Sequence, residues 1–149
     1  MHGQRAFTLI EVLVVLVILG VLASAVVPSL PGWRSNAAAD AAEAWLAQAE
    51  EGARRALAEG RPWQWEIGAA QARLLVREQG RWLAVGERLV LPEGVSLARL
   101  EIEGRRSDDG GRIEFGDVPP LFSLQLRDAG ESWRIVGQAS GFIQLERGG

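Results

Sequence analysis

Phe7–Val27 reads FTLIEVLVVLVILGVLASAVV, an apolar run whose only charge is Glu11. At about 1.5 Å rise per residue, twenty-one helical positions cover roughly 30 Å, the thickness of a bilayer's hydrocarbon core. The acid is the anomaly. A charged side chain at the centre of a membrane helix costs about 2.5–3.5 kcal/mol on insertion scales, and Glu11 lies nearer the start, where the cost is smaller but not zero. An ionisable group inside such a segment is by default a functional residue with a partner.

Three readings of this stretch compete. A secretory signal peptide has Ala23-Ser24-Ala25 as an A-x-A cleavage pattern in its favour. Against it, the run exceeds the usual h-region and contains an acid. A plain one-span anchor explains the length and leaves Glu11 without a role. The third reading takes Met1–Ala6 as a short polar leader with Arg5 as its charge, followed at once by Phe7-Thr8-Leu9-Ile10-Glu11 and the apolar helix. In this the chain resembles the type IV prepilin and pseudopilin family. The resemblance implies cleavage between Ala6 and Phe7 by a prepilin peptidase, methylation of the new amine of Phe7, and Glu11 as the acid that guides assembly. The family usually carries Gly before the cut, where this chain has Ala6; Gly3 is too far from Phe7 to replace it.

Composition narrows the chemistry. The 149 residues amount to one domain behind its anchor, and there is no cysteine. The one histidine, His2, lies in the leader. A chain beginning at Phe7 therefore builds no Ser-His-Asp triad, Cys nucleophile or Cys/His zinc site, and no enzyme and no cofactor are expected. All sixteen basic residues are Arg, and the formal charge of −3 becomes −4 once Arg5 departs. Nucleic-acid binding runs on clustered positive charge, so nucleic acid is not an expected partner.

Pro28, then Pro31-Gly32, interrupt the helix just beyond the apolar run, and a proline at Pro28 is common in the family, where it bends the helix on leaving the membrane. From Asn36 to Glu59 a helical period returns. Ala38, Ala42, Trp45, Leu46, Ala49, Ala53 and Leu57 fall on one face, with Glu50–Arg54 and Glu51–Arg55 as i,i+4 pairs on the other and Gly60 as C-cap. Beyond Gly60 the period becomes 2. Trp63-Gln64-Trp65-Glu66-Ile67 alternates with both tryptophans and Ile67 on one face. Further short runs follow: Leu74–Val76, Trp82–Val85, Leu89–Leu91, Val95–Ile102, Arg112–Phe115, Phe122–Leu126, Trp133–Val136 and Phe142–Leu145. The charged Arg77–Arg81 predicts a hairpin turn. The expected fold is α+β: a long N-terminal helix, half membrane-spanning and half amphipathic, packed on an antiparallel β domain of one folded or two sheets. The expected layout is leader 1–6, membrane or filament-core helix 7–27, kinked amphipathic helix 28–60 and periplasmic β domain 61–149.

Other candidate sites read as structure. Ser107-Asp108-Asp109-Gly110-Gly111 lacks the alternating acids of an EF-hand, and Asp-Gly between strands signals a hairpin. Trp63 and Trp65 read as core rather than a sugar platform, and Arg105-Arg106 as a solvated loop. Leu91–Val95 (LPEGV) and the closing pattern Trp133-x-Ile135…Gly141-x-Ile143 resemble the H-type minor pseudopilins, which share a fold with FimT-like minor pilins. The resemblance implies a structural subunit near the tip of a periplasmic filament that helps a type II secretion system export folded proteins. Its partners would be other pseudopilins, the prepilin peptidase and the inner-membrane platform, with the chain in the inner membrane. A FimT-like, DNA-binding minor pilin and a soluble periplasmic protein cut after Ala25 stand as alternatives.

Overall fold

The computed structural model describes residues 9–26 and 36–149, which fall into two units. In the first, α1 (Leu9–Val26) is a single helix of 18 residues. An apolar run without glycine or proline until Gly20 favours continuous helix, and Glu11 sits in the first turn, where the helix dipole favours an acid. Every side chain from Leu9 to Leu19 is exposed. Eighteen residues cover about 27 Å, and among the described residues no helix is long and apolar enough to cross a membrane. Ala6, Phe7 and Pro28, with the expected kink, lie outside the described residues.

The second unit begins at Asn36 and opens with α2 (Ala37–Glu59). Eleven of its 23 residues are alanine, the best helix former, and a small side chain lets the helix lie close on its neighbours. It ends where Gly60 turns left-handed (φ 61°) and donates its N–H to the Ala56 carbonyl at 3.0 Å, as the sequence predicts. The buried stripe is Ala38, Ala42, Trp45, Ala49, Gly52 and Ala56. Leu57, expected on this face, is 76% exposed instead. At 3.6 residues per turn, alternating steps of three and four from Ala49 reach Gly52 and Ala56 and leave Leu57 about 100° around the helix. The expected Glu50–Arg54 pair is also replaced: Arg54 and Arg55 both bond Glu51, the latter at 2.6 Å.

Nine strands follow. β1 (Trp63–Ile67), β2 (Gln71–Glu78) and β3 (Arg81–Val90) form an antiparallel meander, and β6 (Gly111–Phe115) joins the far side of β1, giving the order β3-β2-β1-β6. The second sheet contains β4 (Ser96–Ile102), β5 (Arg105–Ser107), β7 (Phe122–Arg127), β8 (Ser132–Gly137) and β9 (Ile143–Arg147) in the order β5-β4-β7-β8-β9, again antiparallel. The β2–β3 turn is Gln79-Gly80, both at positive φ (47° and 78°), the two-residue geometry that matches strand twist. Trp82–Val85 and Leu89–Val90 prove to be one strand, with a register shift opposite Ala72–Leu74.

Two loop assignments need correction. Arg105-Arg106 belongs to the edge strand β5, reached through a second positive-φ turn at Glu103-Gly104 (50° and 74°). Ser107–Gly111 is not a hairpin, because β5 and β6 belong to different sheets and the segment crosses between them. Gly110 takes φ 100° there, and a Cβ on it would lie 2.2 Å from the Ile67 carbonyl oxygen, so only glycine fits.

The core joins all three layers. Trp63, Trp65, Ile67, Leu74, Ile113 and Phe115 from the first sheet and Leu100, Phe122, Leu124, Leu126 and Ile135 from the second are buried with the alanine stripe of α2. A chain of edge-to-face rings runs through it: Trp45 to Trp65 at 6.0 Å, Trp65 to Phe122 at 6.0 Å, Phe122 to Phe115 at 6.5 Å. Such pairs contribute about 0.5–1.5 kcal/mol each beyond area burial. Trp65 donates its indole N–H to Gln48 of α2 at 2.9 Å, which satisfies the one polar atom it carries inward.

Candidate functional site

α1 is the first candidate. A globular protein's surface helix carries an apolar stripe; this one is apolar all round, with Leu9 88%, Ile10 72% and Leu16 63% exposed. Such a cylinder is stable only when lipid or protein covers it. Glu11 is the only charged residue of Leu9–Val26, and Val14 and Val15 are its neighbours one turn on. Nothing within α1 can neutralise its carboxylate. Once the helix is covered, that charge sits in low dielectric, where pairing is the alternative to a desolvation cost of several kcal/mol.

In the second unit the sites weighed from sequence resolve as structure. Trp63 and Trp65 are 2% and 0% exposed, which leaves no stacking platform. Arg106 bonds Asp108 at 2.9 Å and the Ser107 hydroxyl donates to the Gly110 carbonyl. Among the described residues no group of three or more His, Cys, Asp or Glu side chains could hold a metal ion. On the outer face of the first sheet, Glu66 accepts from Arg73 at 2.5 Å and from Arg112 at 3.2 Å. The Arg73 hydrogen bond is the main cause that holds its carboxyl below the usual range. The three residues are cross-strand neighbours, Glu66 opposite Arg73 on one side and Arg112 on the other, so they form a strand-pairing ion cluster.

Two features were missed in the sequence. Asn36 precedes α2 but makes no side-chain cap. Asp128, in the β7–β8 turn, accepts from the N–H groups of Gly130 and Glu131 at 2.9 Å each, and the Ala38 N–H in the first turn of α2 adds the smallest of the influences that favour its charge. These bonds, Gly130 first, hold the Asp128 carboxyl below its ordinary range. The second feature is a small, open apolar cleft at the C-terminal end of α2. Its walls come from Ala53 and Leu57, the β6–β7 loop around Pro119 and Pro120, and the β8–β9 loop with Phe142. Asp128-Ala129-Gly130 is a readable turn signal, but nothing local ties it to a helix ninety residues earlier. The cleft draws on three separate segments and has no sequence signature.

Comparison with known proteins bears on the two units differently. Residues 1–27 match the family described as the prokaryotic N-terminal methylation motif. The N-terminal region also matches the type II secretion system core protein G of Klebsiella pneumoniae, 62% identical over 37 residues, and that of Dickeya chrysanthemi, 65% over 34. These matches cover 25% and 23% of this chain and 26% and 22% of the relatives, so the chain spans about a quarter of the length of the curated proteins it matches. Among solved structures, the minor pseudopilin EpsH of Vibrio cholerae superposes with a TM-score of 0.61 at 18% identity, over 76% of this chain and 96% of that one. The Escherichia coli protein GspH does so with 0.55 at 20% identity, over 78% and 94%. One chain thus carries the N-terminal methylation motif on residues 1–27 and, over about three quarters of its length, the α+β fold shared with the minor pseudopilin EpsH and with GspH.

Proposed function

We propose that this chain is a minor pseudopilin of a type II secretion system, a structural subunit of the periplasmic filament that helps move folded proteins across the outer membrane. The observation that carries the reading is the joining, in one chain, of the methylation motif with the two-sheet fold of EpsH and GspH. Either alone is weaker. The motif matches core protein G equally well, and a fold by itself does not fix a function. The likeness to core protein G belongs to the N-terminal region, whereas the β domain resembles the minor subunits, which favours the minor role.

In this reading Phe7–Val27 anchors the chain in the inner membrane by a single span, with the domain from Asn36 in the periplasm. A prepilin peptidase cuts between Ala6 and Phe7 and methylates the new amine. Glu11 then pairs with the α-amine of Phe7 in a neighbouring subunit, Pro28 bends the chain as it leaves the bilayer, and the other pseudopilins and the inner-membrane platform are its partners. The role is assembly rather than catalysis, and the net charge of −3 argues against a DNA-binding pilin.

The test is the intact mass of protein purified from its own host, with co-purification scored in the same sample. The expected product starts at Phe7, carries one extra methyl group and brings down other methylation-motif chains. A product that starts at Val26 overturns the reading in favour of a secreted protein. A gel shift with DNA at physiological salt would favour the pilin alternative.

A further inference from the structure

Two open sheets leave four free edges: β3 and β6 on the first, β5 and β9 on the second. A free edge presents unpaired N–H and C=O groups and adds a strand from another chain unless something prevents it. β5 has three residues, two of them arginine, and β6 and β9 have five each with both charge signs among them. β3 is ten residues long, and Trp82-Leu83-Ala84-Val85 within it is an uncharged run. Leu83 is 46% exposed and Ala84 is exposed as well. Among the described strands this edge is the one that length and composition leave most open to strand addition.

Its middle is broken in two ways. Ala72 pairs with Leu89 and Leu74 with Val85, so Gly86-Glu87-Arg88 stand opposite the single residue Arg73. The two extra residues interrupt the ladder, and Gly86 takes φ 75° to let the strand bulge. All three bulge residues are exposed, so the bulge fills no space in the core. The second break comes from α2. Gln48 donates its amide N–H to the Glu87 carbonyl at 3.1 Å and accepts the Trp65 indole N–H at 2.9 Å. An indole nitrogen only donates, so the amide oxygen must face Trp65 and the amide nitrogen is left for Glu87. The Glu87 carbonyl is thereby engaged by the helix and not offered to a newcomer. Regular pairing survives only over Arg81–Val85 and Leu89–Val90. In an antiparallel ladder alternate residues bond the same neighbour, so each remnant offers very few outward groups.

We infer that the β3 bulge and its Gln48 latch keep this edge from pairing with the same strand of a second copy. Concentration makes the guard necessary. Chains held side by side meet in about the millimolar range, so a contact with a Kd of about 1 mM, negligible in dilute solution, would be about half formed. The inference rests on the proposed function only for the shared anchor, since edge, bulge and latch belong to the domain from Asn36 onward.

The chain has no cysteine, so a single one is a clean probe. Ala84→Cys is placed in the full-length protein in membranes of its own host. It is compared in the parent and in a chain whose Gly86-Glu87-Arg88 is replaced by one glutamate. That replacement straightens β3 and sets Glu opposite Arg73, a favourable cross-strand pair. A short bis-maleimide reports copies paired along the edge, and Ala44→Cys, exposed on α2, gives the collision background. The parent should stay at background, and the straightened chain should give about tenfold more dimer at Ala84→Cys with a cooperative melt. Gln48→Glu keeps an acceptor for Trp65 and removes the donor to Glu87; the loss of that one hydrogen bond should raise the dimer about threefold. This second variant decides the matter if the straightened chain does not melt cooperatively. A parent that crosslinks as strongly as the straightened chain, or variants that stay at background, overturns the inference. The mass at Phe7, read from the same membranes, reports on the proposed function separately. A methylated Phe7 with both variants at background sinks the guard alone. An unprocessed chain whose variants crosslink as expected sinks the pseudopilin reading alone.

Discussion

Gly52, in the middle of α2, should respond to substitution against the simple propensity rule. Gly52 is mid-helix, where Gly→Ala ordinarily stabilises by about 1 kcal/mol. Here a Cβ would lie 2.7 Å from Cδ2 of Leu74 and 3.0 Å from Cδ2 and Cε2 of Phe115. Carbon atoms pack best at about 3.5–4.0 Å, so the helix or both side chains must retreat by nearly 1 Å. Leu74 and Phe115 are 5% and 2% exposed and have nowhere to go without moving the core. Overpacking of this kind costs about 1–3 kcal/mol, more than the propensity gain. The expected net effect of Gly52→Ala is a loss of about 1 kcal/mol. With a urea m-value of about 1–2 kcal/mol/M, the midpoint of the domain from Asn36 onward falls by about 0.5–1 M. Gly52→Leu should not fold. A midpoint raised by about 0.5 M, the unopposed propensity gain, would refute the close approach of α2 to β2 and β6.

The domain from Asn36 onward should fold alone, with a circular dichroism spectrum of mixed helix and sheet and a cooperative melt; an aggregated fragment would mean that the sheets need their neighbours. Its stability should fall in acid: Asp128 and Glu66 titrate below their usual values when folded, so the stability they contribute is present above the unfolded pKa of about 4 and lost as pH drops through the folded one. Asp128→Asn should flatten that acid limb, and a limb unchanged in the variant would remove Asp128 from the account. With no lysine in the chain, an amine-directed reagent should label a processed protein at the Phe7 α-amine alone, and slowly where that amine is methylated; label on any other site would exclude a start at Phe7. Glu11→Ala should leave processing intact and reduce incorporation into the filament, and full secretion with normal co-purification in that variant would reduce Glu11 to a residue of the processing signal.

Local rules made the elements readable and stopped at their arrangement. Trp63-Gln64-Trp65-Glu66-Ile67 could be placed face by face because alternation reports burial directly, and Gly60 could be placed as a C-cap because few residues adopt φ 61°. The same alternation cannot say which sheet a strand joins. Asp109-Gly110 signals a hairpin locally, yet Gly110 is there because the crossover presses on the Ile67 carbonyl, a contact forty-three residues away in sequence. Arg105-Arg106 looked like a loop because charge on a three-residue edge strand masks any alternation, and edge strands favour charge that discourages further pairing. Leu57 was misplaced because steps of four fit a helix over two turns and drift off the stripe over five.

The two ends of the chain also differ in what they can reveal. A lone charge in an apolar run is conspicuous without any structure, because such a run is constrained by hydrophobicity and by very few side chains. That is why Glu11 stood out from sequence, and why residues 1–27 match a motif family while identity to core protein G reaches 62% over 37 residues. The β domain is held to a fold by burial pattern rather than residue identity. Trp45, Trp65, Phe122 and Phe115 can be exchanged for other large apolar groups if volume is kept, and 17–20% identity accompanies TM-scores of 0.55–0.61. Sequence alone therefore reports the motif on residues 1–27, and the likeness of the rest is carried by backbone topology. What distinguishes one member from another should then lie in surfaces that neither constraint governs. On this chain the loops around Pro119-Pro120 and Phe142 are such a surface: they are apolar without being buried, and neither membrane insertion nor core packing accounts for them.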